Sequence, residues 1–249
     1  MNRIKQLFKN LRKDVRTGVI AYVTCGDGAT ADIVRELVDA GADAIELGVP
    51  FSDPIADGPV IQAASQRALK NGTTIADVLA IARDIRKTSN VPLIAFSYLN
   101  PIMRYGEERF ARDAREAGID GVLITDLPPE SSNDTFRVAG LSTVFLLAPT
   151  STNARIKAVD RASDGFVYYV STTGVTGTRS ELDPALVGRL EEVRSRLRNP
   201  IAVGFGISRH EHFELLRGKC DAIVVGSAIV RAIGEGRSAG EVLRAIIGA

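Results

Sequence analysis

Eight short runs rich in β-branched and aliphatic residues recur along the chain, each followed by a helical pattern. They are "GVIAYVTC", "DAIELGV", "PLIAFSYL", "DGVLIT", "STVFLLA", "FVYYVST", "IAVGFG" and "DAIVVGS". Between them lie amphipathic stretches such as "TADIVRELVDAGA", "GEERFARDAREAGI" and "PALVGRLEEVRSRL". Several of these close with Gly just ahead of the next run, as a helix C-cap does. Nearly continuous apolar strands alternating with helices imply a parallel sheet covered by helices. Eight such units in 249 residues predict an α/β fold, a (β/α)8 TIM barrel forming a single domain over residues 1–249. A doubly wound open sheet is the alternative, and the strand count favours closure.

A chain that is 45% hydrophobic and 24% charged can bury a large core. Its 31 basic residues against 30 acidic ones leave a net charge of +1, which points to neither a nucleic-acid nor a membrane-surface partner. The opening "MNRIKQLFKNLRKD" is charged and amphipathic, unlike a signal peptide, and no apolar run approaches the ~20 residues of a membrane span. The expected location is cytoplasmic. Cys25 and Cys220 are too few for a disulfide framework. Placed at opposite ends of neighbouring strands they lie roughly 15 Å apart, so both read as buried free thiols. One connection is oversized: residues 50 to 90 hold an acidic loop, a helix near 59–70 and another near 75–87.

In such a barrel the active site lies at the C-terminal ends of the strands. Glu46 sits inside the second run. Side chains alternate, so Ala44, Glu46 and Gly48 share one face and Ile45, Leu47 and Val49 the other. The branched set suits the helix-covered outside, which sends Glu46 into the barrel between two small neighbours. An unpaired buried carboxyl is forced towards a raised pKa, as a group acting as both acid and base near neutrality requires. A structural Glu paired with Lys or Arg is the competing reading. Asp57 precedes Gly58-Pro59, where Pro suits the first turn of a helix, so capping and catalysis both fit it. Asp53, in "SDP", favours turn chemistry.

Glycines cluster after the last three runs, in "STTGVTGTRS", "GFGIS" and "VVGSAIV". If each turns into a helix, free backbone N–H groups converge there as a phosphate site, with Ser227 adding a hydroxyl. Steric needs of tight turns explain any one of these glycines equally well. "GFGISR" is no dinucleotide fingerprint, because Arg209 takes the third glycine position. His210 and His212 lie two apart with no third ligand at a suitable spacing and read as solvated surface residues. The segment "STTGVTGTRSELDP", residues 171 to 184, reads as a lid over the phosphate.

Taken together, "ELGVPFSDPIADGPVIQ", "YLNPI", "DLPPE", "LAPTST", "TGVTG", "GFGIS" and "VGSAIV" resemble, in order and over nearly the whole chain, the α subunit of tryptophan synthase. That family folds as a TIM barrel. The resemblance implies a lyase of tryptophan biosynthesis that needs no cofactor, cleaving indole-3-glycerol phosphate by a retro-aldol reaction to indole and glyceraldehyde 3-phosphate. It implies Glu46 as the general acid/base and Asp57 as the carboxylate that steadies the charged indole N–H. Tyr168 falls near the reacting centre. Gly177, Gly206, Gly226 and Ser227 match the phosphate cradle, with Phe205 in the same turn, and Tyr22, Tyr98 and Leu99 fall where the family lines the indole pocket. The implied partner is the tryptophan synthase β subunit, which carries pyridoxal phosphate, in an α2β2 assembly contacted through Asp53, Pro54 and the "NPIMRYG" loop. This sequence departs from the family pattern with Tyr at 22 where Phe is expected. It also has Thr at 172 and 173, where a basic residue is frequent. Two rivals remain: a phosphate-binding barrel isomerase or lyase of another pathway, and a non-catalytic subunit. Neither accounts for the Glu46/Asp57 pair in its "PFSDPIADGP" context.

Overall fold

Every predicted run becomes a strand: β1 (Gly18–Thr24), β2 (Ala44–Gly48), β3 (Leu93–Ser97), β4 (Gly121–Ile124), β5 (Ser142–Leu147), β6 (Val167–Val170), β7 (Ile201–Gly204) and β8 (Ala222–Val225). The computed structural model describes residues 2–131, 134–170, 185–204 and 206–249. All neighbouring strands are parallel and in sequence order, and β8 pairs with β1, so the sheet closes into a TIM barrel. The open-sheet alternative is thereby excluded. Twelve helices accompany the strands among the described residues: α1 (Arg3–Lys13), α2 (Thr30–Asp39), α3 (Pro59–Lys70), α4 (Ile75–Arg86), α5 (Leu99–Tyr105), α6 (Glu107–Glu116), α7 (Thr135–Val138), α8 (Asn153–Ala162), α9 (Ala185–Arg194), α10 (His210–Leu216), α11 (Ser227–Gly234) and α12 (Ala239–Ile247).

Local chemistry sets these boundaries. Pro59 starts α3 at a position whose N–H would be unpaired anyway. Thr74 and Asp77 form a reciprocal capping box that begins α4. The "NPIMRYG" segment, expected as a loop, is helix α5, because Pro101 falls in its first turn and costs no intrahelical hydrogen bond. Gly106 then ends that helix at φ 97°, a left-handed conformation that favours glycine.

Strand parity divides the apolar residues into two clusters. Ile45, Leu47, Val49 and their counterparts face the helices, while Ala44, Ile94, Phe96, Leu123, Val144, Phe166, Tyr168 and Val224 fill the barrel interior. Helix α1 closes the N-terminal end. Its Ile4, Phe8 and Leu11, spaced along one helical face, enter the interior cluster, and Phe8 meets Phe166 at 5.4 Å between ring centroids. Gly18 and Gly121 leave room for the plug: a Cβ would approach Leu11 and Ile4 to 2.5 and 2.6 Å respectively.

Three aspartates fasten this end. Asp43, Asp120 and Asp221 each stand one residue before a strand. Their backbone N–H groups donate to the carbonyls of Val19, Leu93 and Ile201, and their carboxylates accept the N–H of those same residues at 2.8, 3.0 and 2.9 Å. Arginines complete each site: Arg16 on Asp43, Arg3 and Arg86 on Asp120, Arg12 and Arg194 on Asp221. Because Arg3 and Arg12 belong to α1, the plug is tied by charge at both ends. The other end of the barrel is left for chemistry.

Cys25 and Cys220 are buried and free, and burial pushes the Cys220 thiol up to about 12. The expectation of two solvated histidines fails for His212, which is buried and accepts from the Ser208 N–H through Nδ1 at 3.3 Å; His210 is exposed. Among the described residues no helix is long and apolar enough to cross a membrane, and no cluster of His, Cys, Asp or Glu is suited to a metal.

Replacing Asp120 with Ala strands the Arg86 guanidinium, whose side chain is only 12% exposed, and unties the plug. Chemical unfolding is expected to show a loss of about 3–5 kcal/mol with unchanged denaturant sensitivity. A loss below about 1 kcal/mol would mean that the plug is held by its apolar face alone.

Candidate active site

The second strand carries Glu46 into the barrel because its neighbours on the same face, Ala44 and Gly48, are small and its neighbours on the other face are core residues. Glu46 is fully buried, and neither carboxylate oxygen has a hydrogen-bond partner among the described residues. Among the described residues no ion pair reaches it, so the structural ion-pair reading finds no support there. Burial alone raises its pKa from 4.5 to about 8.

Asp57 arrives from the oversized connection. Its N–H donates to the Pro54 carbonyl at 3.0 Å, and Gln62 Nε2 donates to its carbonyl at 2.8 Å. The residue capping α3 is Gly58, without a side-chain bond, so the Asp57 carboxylate is not a helix cap. It turns instead into the same cleft as Glu46, where it is 6% exposed. Burial raises its pKa to about 6, opposed by a hydrogen bond from Tyr98. Asp53 behaves as turn chemistry: it is exposed, its carbonyl accepts from Ile55, and its carboxylate accepts from Ser52 Oγ at 2.5 Å.

The cleft holds about 520 Å³, open space at its mouth included. Glu46, Asp57, Tyr22 and Tyr168 line it together with Gly206, Gly226 and Ser227. Tyr22 is in register with Glu46 and meets Phe96 edge-on at 5.3 Å. Tyr168 on β6 feels the charge of both carboxylates after the dominant effect of burial, and both effects push its phenol well above the ordinary range. Each tyrosine hydroxyl rests on a glycine: Tyr22 on Gly48 and Tyr168 on Gly204, where any Cβ would collide. These glycines are required by close approach rather than by turn geometry.

Opposite the carboxylates, β8 runs straight into α11 through Gly226. The first intrahelical bond there is Val230 N–H to Gly226 carbonyl, which leaves the amides of Ser227, Ala228 and Ile229 without intrahelical partners. The arrangement after β7 is looser than expected: "GFGIS" does not enter a helix directly, and α10 begins only at His210, past Gly206 with φ 88°.

The sequence expectations fall unevenly on this site. Gly177, Phe205 and the lid segment 171–184 lie outside the described residues. Tyr98 and Leu99 are not among the described residues that surround the cleft, though Tyr98 hydrogen-bonds Asp57, which does. Tyr98 holds the acidic loop, accepting the Ala56 N–H at 2.9 Å and lying at a tilt to Phe51. Leu99 opens α5, packs against the outer layer and donates its N–H to Asp126. Phe96, Val224 and Ile61 line the cleft without having been singled out. The first two follow from extending the β2 parity argument to β3 and β8; Ile61 needed the position of α3.

A family model described as tryptophan synthase alpha chain matches residues 8–246. The chain belongs to this family. It is 54% identical over 239 aligned residues to the tryptophan synthase alpha chain of Solibacter usitatus, covering 94% of this chain and 90% of that one. The corresponding chain of Pelobacter propionicus is 46% identical over 237 residues, with 93% and 89% covered. Among solved structures, the tryptophan synthase α subunit of Legionella pneumophila superposes with a TM-score of 0.90 at 33% identity, covering 100% of this chain and 98% of that one. A chain from the tryptophan synthase α2β2 complex of Pyrococcus furiosus gives 0.86 at 40% identity, with 93% and 98% covered.

The Glu46 environment has a measurable cost. Between its ordinary 4.5 and about 8, the folded chain holds a proton that the unfolded chain releases. The stability linked to that proton is complete below the lower value and is lost as pH rises through the upper one. Wild-type stability is therefore expected to fall across this window relative to Glu46→Gln, by about 1.4 kcal/mol per pH unit. Urea unfolding midpoints from pH 5 to 8 test this. Parallel curves for the two proteins would place Glu46 at its ordinary value.

Proposed function

We propose that Glu46 and Asp57 carry out the α reaction of tryptophan synthase in this chain, cleaving indole-3-glycerol phosphate to indole and glyceraldehyde 3-phosphate. The observation that carries this reading is the pair itself: two carboxyl groups in one cleft whose surroundings separate their pKa values to about 8 and about 6. At neutral pH the first is mostly protonated and the second mostly ionised, a division into acid and counter-charge set by environment. Cleavage needs a proton delivered to indole C3. It also needs a proton removed from the glycerol hydroxyl as the C–C bond breaks and its electron pair returns to the ring. Glu46 supplies the first proton and accepts the second. Asp57 accepts a hydrogen bond from the indole N–H and stabilises the positive charge that grows there. Proton transfers suffice, so the reaction calls for no cofactor.

Substrate placement follows the cleft. Tyr22, Phe96 and Ile61 form an apolar wall suited to the indole, with Tyr168 beside the reacting carbon. The phosphate lies at Gly206, Gly226 and Ser227, where the free amides and dipole of α11 favour an anion. Gly177 and Phe205 are assigned to the same cradle from their motifs. In this reading Tyr98 holds the Asp57 loop, and Leu99 anchors the start of α5 beside it. Residues 1–249 act as one cytoplasmic catalytic domain. Its partner is the tryptophan synthase β subunit in an α2β2 heterotetramer, met through Asp53, Pro54 and α5. The large exposed side chains of Ile55 (78%) and Met103 (64%) support that surface, since they stand on the rim beside the chemistry.

Glu46→Gln is expected to reduce indole formation from indole-3-glycerol phosphate by about 10²-fold or more. Binding of a non-cleavable indole-bearing analogue should persist, and its fluorescence can be read directly because the chain has no tryptophan. Asp57→Asn should also be severely impaired. Near-normal turnover by Glu46→Gln would overturn the mechanism.

Mixing the purified chain with its β subunit should yield an α2β2 mass and faster indole production. Ile55→Asp is expected to weaken that complex while sparing the fold. Failure of the wild-type chains to associate would remove the partner assignment.

A further inference from the structure

Asp57 lies just ahead of α3, so its position depends on where that helix sits. The helix packs against α11 and β1. Its buried face is Ile61, Ala64, Ser65 and Ala68, and apart from Ile61 these are small side chains that offer few knobs to a neighbour. A charged fork grips its far end. Arg67 Nε and Nη2 donate to Asp27 Oδ1 and Oδ2 at 2.7 and 2.8 Å, in bidentate geometry. Asp27 belongs to the loop after β1 and its carboxylate is 7% exposed.

The surroundings of the fork are equally specific. Gly26, beside Asp27, has φ 84°, and a Cβ there would collide with Thr73 in the turn after α3. Asn71 Nδ2 donates to the Gly26 carbonyl at 3.3 Å, and the Gly26 N–H donates to Thr30 Oγ1 at 3.0 Å. On its other side Arg67 lies against Gly234, where a Cβ would come within 2.8 Å of Nη2. Gly234 is the last residue of α11, and the first residue of α11 is Ser227. The guanidinium thus touches the β1 loop and α11 while belonging to α3. At the near end, Gln62 binds the Asp57 carbonyl, so Asp57 moves with the helix.

We infer that Asp27 and Arg67 are positioning residues for the reaction: their fork sets α3, and through it Asp57, against the β1 rim and the α11 phosphate end of the cleft. Pro59 and Arg67 are separated by about 12 Å of helix. A small tilt released at one end therefore becomes a displacement of the carboxylate at the other. Arg is required because a lysine ammonium cannot make the two-pronged contact and also lie flat against Gly234. The inference rests on the assignment of Asp57 to the reaction.

The test uses the full-length chain and indole release from indole-3-glycerol phosphate at saturating and limiting substrate. Arg67→Lys, Arg67→Gln, Asp27→Asn and the double variant Asp27→Asn/Arg67→Gln are compared with wild type. Each single variant is expected to lower kcat roughly ten- to a hundredfold, a loss appropriate to a misplacement near 1 Å, with KM changed less than about threefold. The double variant should be no worse than either single. Arg67→Lys keeps the charge and, with it, the thermal midpoint, yet should lose most of the same activity.

Combining Arg67→Gln with Asp57→Asn, measured under single-turnover conditions, should add nothing to the loss caused by Asp57→Asn alone. A purely structural pair would lower the thermal midpoint and leave kcat near wild type in Arg67→Lys, which would overturn the inference. Losses that multiply with Asp57→Asn would overturn it too, while leaving the role of Asp57 intact. Near-normal turnover by Asp57→Asn itself would instead remove the reading on which the inference stands.

Discussion

In a parallel strand covered by helices, every second side chain must enter the barrel, and no rotamer returns it to water. That constraint governs Glu46. Its flanking residues Ile45 and Leu47 are fully buried against the helices, so a slip in register would turn them into the barrel and drive Glu46 into the apolar outer core. The carboxyl group is therefore held where it has no partner among the described residues, and the molecule absorbs the cost through the rest of the barrel. The raised pKa is the direct result of this placement. A surface carboxylate with the same neighbours in sequence would have none of that character.

The two ends of the barrel treat charge in opposite ways. At the N-terminal end, Asp120 and Asp221 are buried but saturated by backbone N–H groups and arginines, and Asp43 is bound in the same way at a more open position. They organise strand starts and hold the α1 plug. At the C-terminal end, Glu46 is buried with no hydrogen-bond partner among the described residues, and the Asp57 carboxylate accepts a hydrogen bond from Tyr98. Saturation makes a carboxylate structural, and deprivation makes it reactive. The same residue types thus serve stability and chemistry according to how many donors reach them.

Much of the fold could be read from the chain because its signals are local. The eight apolar runs, the glycines before strands and Pro59 ahead of α3 all act within a few residues. The parity of β2 was sufficient to place Glu46. Asp57 remained ambiguous between cap and cleft because that choice depends on where α3 lies, a property of packing with the β1 loop and α11. The helix in "NPIMRYG" is not legible locally, because the tolerance of Pro101 in a first turn depends on where the helix starts. His212 looked solvated because two histidines in a charged segment give no hint of burial. The roles of Asp43, Asp120 and Asp221 were also missed. Each stands at the head of a quoted run, but its partners lie 20 to 209 residues away.

The account depends most directly on the state of a single carboxyl group. Carbon-13 labelling of glutamate, with Glu46→Gln to assign the resonance, allows the Glu46 carboxyl to be titrated in the free chain. The account predicts a neutral acid at pH 7 that loses its proton near about 8, far from the ordinary 4.5. A resonance already ionised at pH 7 and titrating near 4.5 would contradict it.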